Sequence, residues 1–127
     1  MKKLKIQLMT LIIVGTGMIF NTSFAYDIDD IENIEIVHLI EFIGNADCRF
    51  VRNGEEYSST HARMFIEYKY DNAKDEIYST EDFIKTAATK SQSSGLDYKV
   101  RCNGGEAASA HWLTKELASY RSIVRAN

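Results

Sequence analysis

Residues 48–54 read Cys-Arg-Phe-Val-Arg-Asn-Gly, and residues 98–104 read Tyr-Lys-Val-Arg-Cys-Asn-Gly. Each segment has the short alternation of a half-buried strand, and each runs into Asn-Gly, a strong turn signal. We therefore predict strands over 48–52 and 97–102, with a turn after each strand. Two such strands favour a small two-stranded antiparallel sheet as the centre of the fold.

The spacing of side chains along these strands predicts how the strands pair. Alternate residues of a strand share a face, and the start of one antiparallel strand meets the end of the other. Cys48 then lies against Cys102, and Phe50 lies near Val100. These are the two cysteines of the chain. The signal peptide described below predicts export, and an even number of cysteines in an exported protein indicates a disulfide. Two free buried thiols are the alternative.

Four segments with apolar residues at spacings of three and four predict helices. Acidic residues or Ser/Thr caps stand where the helices begin, with Ser79 and Asp82 resembling a capping box and Ser109 capping the last helix. The segments are 26–45, from 58–60 to about 70, from 79 to about 90, and 109–124. We expect an α+β domain with about four helices packed on one side of the two-stranded sheet.

The two halves of the chain resemble each other. Val-Arg-Asn-Gly-Glu at 51–55 precedes a helix that contains His61, and Val-Arg-Cys-Asn-Gly-Gly-Glu at 100–106 precedes a helix that contains His111. The similarity indicates either a quasi-repeat of helix, strand, turn and helix or a chance match over a few positions.

The first 25 residues are typical of a secretory signal peptide. A basic start is followed by an apolar stretch over 8–20, and Ser23-Phe24-Ala25 provides small residues before a cut at Tyr26. The apolar stretch is shorter than the roughly 20 residues of a spanning helix. We predict a signal peptide over 1–25, cleaved after Ala25, and a single domain over 26–127 in the periplasm. The alternative is an uncleaved N-terminal anchor.

Charge excludes two classes of partner. The chain has 15 Lys and Arg and 18 Asp and Glu, and three of the lysines lie in the signal peptide. The mature part keeps 12 basic and 18 acidic residues, a net charge of −6. Such a chain is a poor non-specific binder of nucleic acid or anionic lipid. We expect no nucleic-acid partner and no stable membrane span after signal removal.

The sequence contains no catalytic or metal-binding motif. His38 and Glu41 lie one helical turn apart, but a metal site needs three or four converging ligands. The serines at 91, 93 and 94 lack the Gly-x-Ser-x-Gly elbow of a serine hydrolase. We expect no metal, no cofactor and no catalytic residue.

Basic, aromatic and small polar residues on and beside the two strands form a candidate binding site. Arg52 lies opposite Tyr98 in the predicted pairing, which brings the turn after the first strand towards the serine-rich loop before the second. Arginine suits carboxylates and phosphates, and tyrosines are common on recognition surfaces. The alternative is a solvated face paired with acids at 55, 56 or 97, with the tyrosines at the core edge. The candidate residues are Arg49, Arg52, Asn53, Gly54, Tyr57, Ser94, Gly95, Tyr98, Lys99 and Arg101.

Four segments carry a family resemblance: Cys-Arg-Phe-Val-Arg-Asn-Gly-Glu-Glu-Tyr at 48–57, Ser-Thr-Glu-Asp-Phe-Ile at 79–84, Ser-Gly-Leu-Asp-Tyr at 94–98 and the Trp-Leu helix over 112–121. Together they resemble the YfeK-like proteins, small exported proteins of proteobacteria with unknown function. The resemblance covers about 36–121 and implies the compartment and size, but no reaction. Similar proteins often carry a histidine where this chain has Phe65, and Gly-Lys-Pro-Tyr where it has 95–98.

The absence of a catalytic constellation, the basic face of the predicted sheet and the surplus of tyrosines together predict a non-enzymatic periplasmic binding or protein-interaction module. Its partner is expected to be a periplasmic protein or a small anionic ligand. The alternatives are a small envelope hydrolase, an inhibitor of an envelope enzyme that presents the loop 91–97, and a structural envelope role.

Cleavage of the signal is directly measurable. We expect the intact mass of the exported protein to correspond to a chain that begins at Tyr26, because Ala25 completes the small-residue cleavage pattern. Detection of Met1 on the exported protein would contradict the prediction and favour the anchor. A chain with Ala25 changed to Arg serves as the control and should retain its first 25 residues.

Overall fold

The computed structural model describes residues 28–127, with side chains described from residue 33. Residues 31–127 form one compact unit. Predictions on the signal peptide lie outside the described residues. In chain order the elements are α1 (Ile28–Asn45), β1 (Arg49–Arg52), β2 (Glu55–Tyr57), α2 (Ser59–Ala73), a 3-10 turn (Lys74–Glu76), α3 (Thr80–Ala87), β3 (Lys99–Cys102), β4 (Gly105–Ala108) and α4 (Ser109–Ala126).

The sheet has four antiparallel strands in the order β2-β1-β3-β4, so the prediction of a two-stranded sheet is wrong. Both Asn-Gly pairs adopt left-handed backbone, with φ of 52° and 81° at Asn53 and Gly54 and of 41° and 81° at Asn103 and Gly104. Positive φ at both central residues is the type I′ turn, whose twist matches that of flanking strands. Each turn therefore returns the chain as a hairpin before the helix begins.

The predicted pairing at the centre of the sheet is confirmed. Phe50 lies opposite Val100 in the β1–β3 pair. One step beyond the ladder, Cys48 and Cys102 form a disulfide with their Cα atoms 4.5 Å apart. The disulfide follows from the register, because both cysteines lie on the face that carries Phe50 and Val100.

The register shows that the two halves are a structural repeat with an offset of 50 residues. Phe50 pairs with Tyr57 in the first hairpin, and Val100 pairs with Ala107 in the second. A helix follows each hairpin, starting at Ser59 and at position 109. The quasi-repeat is thus helix, hairpin, helix, with one more strand in each unit than the sequence pattern predicted.

Two of the predicted helix caps are present and one is not. The Ser58 side chain accepts a hydrogen bond from the backbone of α2, and the Ser79 side chain accepts one from Asp82 N at 3.0 Å. Ser109, by contrast, is the first residue of α4 and Ala108 occupies the cap position without a side-chain bond. The second hairpin extends to Ala108 and fixes where α4 begins, which leaves no turn for a serine cap.

One face of the sheet is buried and the other is exposed. Phe50 and Val100 are buried, whereas Arg49, Lys99 and Arg101 alternate with them and face solvent. This alternation fits the predicted packing of helices against one face. Within residues 28–127, no helix combines the length and the apolar content that a bilayer crossing requires. Helical core residues include Leu39, Ile43, Ile66, Phe83, Leu113 and Leu117.

A buried ion pair connects three of the helices. Glu35 of α1 is nearly buried and accepts hydrogen bonds from Thr80 of α3 at 2.7 Å and from Arg121 of α4 at 2.6 and 2.8 Å. Arg121 also donates to Glu81 at 2.5 Å. The hydrogen bond from Arg121 holds the pKa of Glu35 below its usual range, although burial acts in the opposite direction.

Loss of the disulfide should destabilise the fold. The double variant Cys48→Ser with Cys102→Ser frees a loop that spans 54 residues of sequence, so the chain-entropy relation predicts a loss of about 4 kcal/mol in unfolding free energy. Urea unfolding measures the loss. Reduction of the wild-type protein should give the same decrease, and an unchanged unfolding midpoint would contradict the prediction.

The Glu35 ion pair should make stability fall in acid. Since the folded pKa of Glu35 lies below its unfolded value, its contribution is complete above the unfolded pKa and is lost as pH falls through the folded pKa. Glu35→Gln should therefore reduce the acid-side slope of unfolding free energy against pH. Glu67→Gln, which removes an exposed partner of Arg63, is the control and should keep the wild-type slope. Equal slopes in wild type and Glu35→Gln would contradict the prediction.

Candidate binding groove

The sheet cations of the candidate site lie on the exposed face and are paired with two glutamates. Arg101 donates to Glu106 Oε2 at 2.6 Å and also bonds Glu56. Arg49 Nε lies 3.8 Å from Glu56 Oε2, and Lys99 Nζ lies 3.6 Å from Glu106 Oε1. Pairing with Glu56 was the alternative stated for a solvated face, and Glu106 is a partner that the sequence did not indicate. Most of the basic charge of this face is therefore balanced locally.

The opposite end of the site is a groove between α2, the end of β1 and the loop before β3. It encloses about 310 Å³. Arg52 and Tyr98 of the predicted site line it. The other lining residues come from α2 and from the serine-rich loop over 91–97, which is called the serine loop below. The lining residues are Arg52, Phe65, Tyr68, Lys69, Ser91, Gln92, Ser93 and Tyr98.

Two cations lie in this groove. The Arg52 guanidinium lies over the Phe65 ring, 4.6 Å from its centroid. Lys69 Nζ donates to the Tyr98 hydroxyl at 3.1 Å and to the Lys90 carbonyl at 3.0 Å. Within the part of the chain that the structure describes, no carboxylate lies within 4.0 Å of either cation. In the described residues, the groove therefore presents two cations without a close ion-pair partner beside aromatic side chains.

The carboxylate nearest to Arg52 in the sheet register is engaged elsewhere. Glu55 lies opposite Arg52 in the β1–β2 ladder, but it accepts a hydrogen bond from the Tyr57 hydroxyl at 2.9 Å. This bond raises the pKa of Tyr57, because it favours the protonated phenol. Glu55 is thus bonded to Tyr57, whose hydroxyl also lies near the Arg52 guanidinium.

The serine loop is fixed beside the first hairpin turn, as the predicted pairing required. Ser91 is buried; its N–H donates to the Leu96 carbonyl at 2.9 Å, and its carbonyl accepts from Gly95 N at 2.8 Å. Ser94 Oγ donates to Asn53 Oδ1 at 2.5 Å. Gly95 has a φ of 72°, which L side chains rarely adopt, so this position favours glycine. These bonds give the groove a defined rim.

A small apolar cavity lies beside the groove. Its volume is about 30 Å³, and it shares Arg52, Phe65 and Tyr98 with the groove. The three shared residues place charge and apolar surface next to each other. Its other lining residues are Ile43, Phe50, Val51, Tyr57, Ala62, Ile66, Lys99 and Ser109.

The repeat explains where the groove forms. With the offset of 50 residues, Tyr98 has the same position in the second repeat as Cys48 has in the first. In the same way, Cys102 corresponds to Arg52. The central strand pair is therefore closed by the disulfide at one end and carries Arg52 and Tyr98 at the other. Two large polar side chains cannot approach as closely as two bonded sulfurs.

A second difference between the repeats enlarges this end. In α4, Trp112 packs against Phe50 with ring centroids 5.7 Å apart and against Phe42 at 4.5 Å. The position in α2 that corresponds to Trp112 is Ala62, and Ala62 lines the apolar cavity. The Trp112 indole packs against two aromatic rings, whereas the Ala62 methyl group lies in the wall of a cavity.

The histidines lie away from the groove. His38 stacks on Tyr120 at 4.0 Å and bonds Glu116 at 2.8 Å, and His61 bonds its cap Ser58 at 3.0 Å. Ser91 Oγ in the groove bonds Ser93 Oγ at 3.0 Å. In residues 28–127, no cluster of His, Cys, Asp and Glu has the geometry to hold a metal ion. The charged groups that line the groove, Arg52 and Lys69, are hydrogen-bond donors.

Sequence reasoning placed some of these residues and missed others. Arg52, Tyr98 and the Ser94–Asn53 contact were predicted as one site, and the structure brings them together. The missed residues come from α2, where the helical spacing places Phe65 and Lys69 on one face. That spacing was the available signal. Tyr68, Ser91, Gln92 and Ser93 also line the groove.

Comparison with known proteins gives a family and no characterised relative. The family of unknown function DUF5329 matches residues 30–121. No curated protein matches the chain. No solved structure matches it. The matched range contains both hairpins, the disulfide and all residues of the groove. The chain belongs to the family of unknown function DUF5329.

Proposed function

We propose that the protein is an exported, non-enzymatic binding module whose groove holds an anionic group of a small ligand or of a periplasmic partner protein. The observation that carries the proposal is the pair of Arg52 and Lys69, which line one groove without a carboxylate within 4.0 Å in the described residues. In an acidic protein, positive charge left unpaired at a concave site suits an anion.

The chemistry of the two side chains supports this role. A guanidinium offers a planar fork of donors, and that of Arg52 lies over the Phe65 ring at 4.6 Å from its centroid. The Lys69 ammonium has three donors and uses two of them on Tyr98 and Lys90, which leaves one for a ligand. Because both side chains are only partly exposed, the attraction for an anion is stronger than it would be in open water.

Several independent observations support export to the periplasm. The disulfide is typical of an oxidising environment, and the first 25 residues have the pattern of a signal peptide. The resemblance to the YfeK-like proteins also favours export. We therefore assign the protein to the periplasm, as the mature chain that begins at Tyr26.

Anion binding should depend on the groove cation and not on the paired cations of the sheet. We expect inorganic phosphate and acetate to shift amide resonances at 52, 69 and 91–95 in an NMR titration. Arg52→Gln should weaken this binding about tenfold, because it removes one charge-assisted hydrogen bond. Arg49→Gln, at a sheet cation already paired with Glu56, is the matched control and should change the affinity less than twofold.

Two outcomes would contradict the proposed function. One is the absence of saturable shifts at the groove amides. The other is an equal loss of binding in the Arg49 and Arg52 variants, which would show that the anion senses only net charge. Thermal unfolding of both variants checks that each retains its fold.

A further inference from the structure

We propose that the groove and the apolar cavity together bind the carboxyl terminus of a peptide that ends in a small apolar residue. The inference rests on the proposed function and specifies its ligand. It is carried by three residues, Arg52, Phe65 and Tyr98, that line both the groove and the cavity.

The shared residues restrict how charge and apolar surface are arranged in the ligand. Arg52 provides the positive charge of the groove and is also part of the cavity wall. A ligand that meets the guanidinium and fills the cavity must therefore carry its anionic group next to a small apolar group. A terminal α-carboxylate beside a Cβ atom has this arrangement, whereas inorganic phosphate has no apolar substituent.

The planar fork of Arg52 suits a carboxylate, as it also suits a phosphate, so the apolar cavity and not the fork distinguishes the two. A carboxylate accepts two parallel hydrogen bonds from a guanidinium. Lys69 Nζ is held 3.1 Å from the Tyr98 hydroxyl, so a second charged donor stands at the same wall of the groove. Both cations line the same groove, so a carboxylate bound there has two charged donors available.

The size of the cavity limits the terminal side chain. A volume of about 30 Å³ has room for one or two methyl groups, since a single water needs roughly 10–15 Å³ on the same measure. Part of the wall is formed by Phe50 and Ile66, which are buried in the core and cannot move aside without a packing cost. Alanine fits this space and phenylalanine does not.

The remaining groove suits a peptide backbone. Gln92 and Ser93 are exposed at its rim and offer an amide and a hydroxyl, which can both donate and accept. Tyr68 is 69% exposed and forms an aromatic surface on the opposite element, α2. A chain of two or three residues that leads away from the carboxylate would find donors, acceptors and apolar contact there.

A set of four probes tests the inference on the mature wild-type protein by calorimetric or NMR titration. They are acetyl-Ala-Ala-Ala with a free carboxylate, the same peptide as its C-terminal amide, acetyl-Ala-Ala-Phe with a free carboxylate, and inorganic phosphate. We expect the first to bind at least tenfold more tightly than each of the others. The amide removes the charge, phenylalanine exceeds the cavity, and phosphate lacks the apolar group.

A cavity-filling variant adds a second readout. Ala62→Leu places a larger side chain in the cavity and should reduce the preference for acetyl-Ala-Ala-Ala over acetate about tenfold. Ala118→Leu, on the exposed surface of α4 outside both the groove and the cavity, is the matched control and should keep the wild-type preference.

The outcomes separate this inference from the proposed function. Equal affinity for the peptide acid and its amide would overturn the inference, and so would tight phosphate binding with peptides no better than acetate. The second result would leave an anion site at Arg52 in place, and the first would do so only if inorganic phosphate still gave saturable shifts at the groove amides. Failure of every anion to bind would overturn the inference together with the proposed function.

Discussion

The antiparallel pairing of β1 with β3 is the constraint on which the rest of the structure depends. The Phe50–Val100 pair lies at its centre, and the residues that pair on either side are equally far from this pair along the two strands. Because side chains alternate, this one register sends the apolar residues to the helices and the cations to solvent. It also brings the two cysteines within bonding distance. Each Asn-Gly turn then leads into an outer strand, one on each side of the central pair.

The groove arises from the way in which the two repeats differ. Two identical repeats would close both ends of the central strand pair in the same way, but only one end carries the disulfide. The other end carries Arg52, Tyr98 and Ala62, which leave space and charge in the same place. The candidate groove and the disulfide thus lie at opposite ends of the same strand pair.

Local patterns in the sequence were sufficient for the central strands, the disulfide and two of the helix caps. They were insufficient for β2 and β4, because Glu55-Glu56-Tyr57 and Gly105-Glu106-Ala107-Ala108 are short and mostly polar or small, without an apolar alternation. Arg52 and Tyr98 could be placed together by strand register alone. Lys69 could not, since its position beside Tyr98 depends on how α2 packs.

The disulfide has a mechanical consequence. It spans 54 residues of sequence, so a pull on the two ends of the chain passes from Cys48 to Cys102 through the sulfur bond. The disulfide thereby prevents about 180 Å of chain extension, at roughly 3.3 Å for each residue between the cysteines. Arg52, Lys69 and the serine loop all lie inside the closed segment, whereas β4 and α4 lie outside it. Tension along the chain would unravel the outer helices and leave the backbone that carries the groove unloaded.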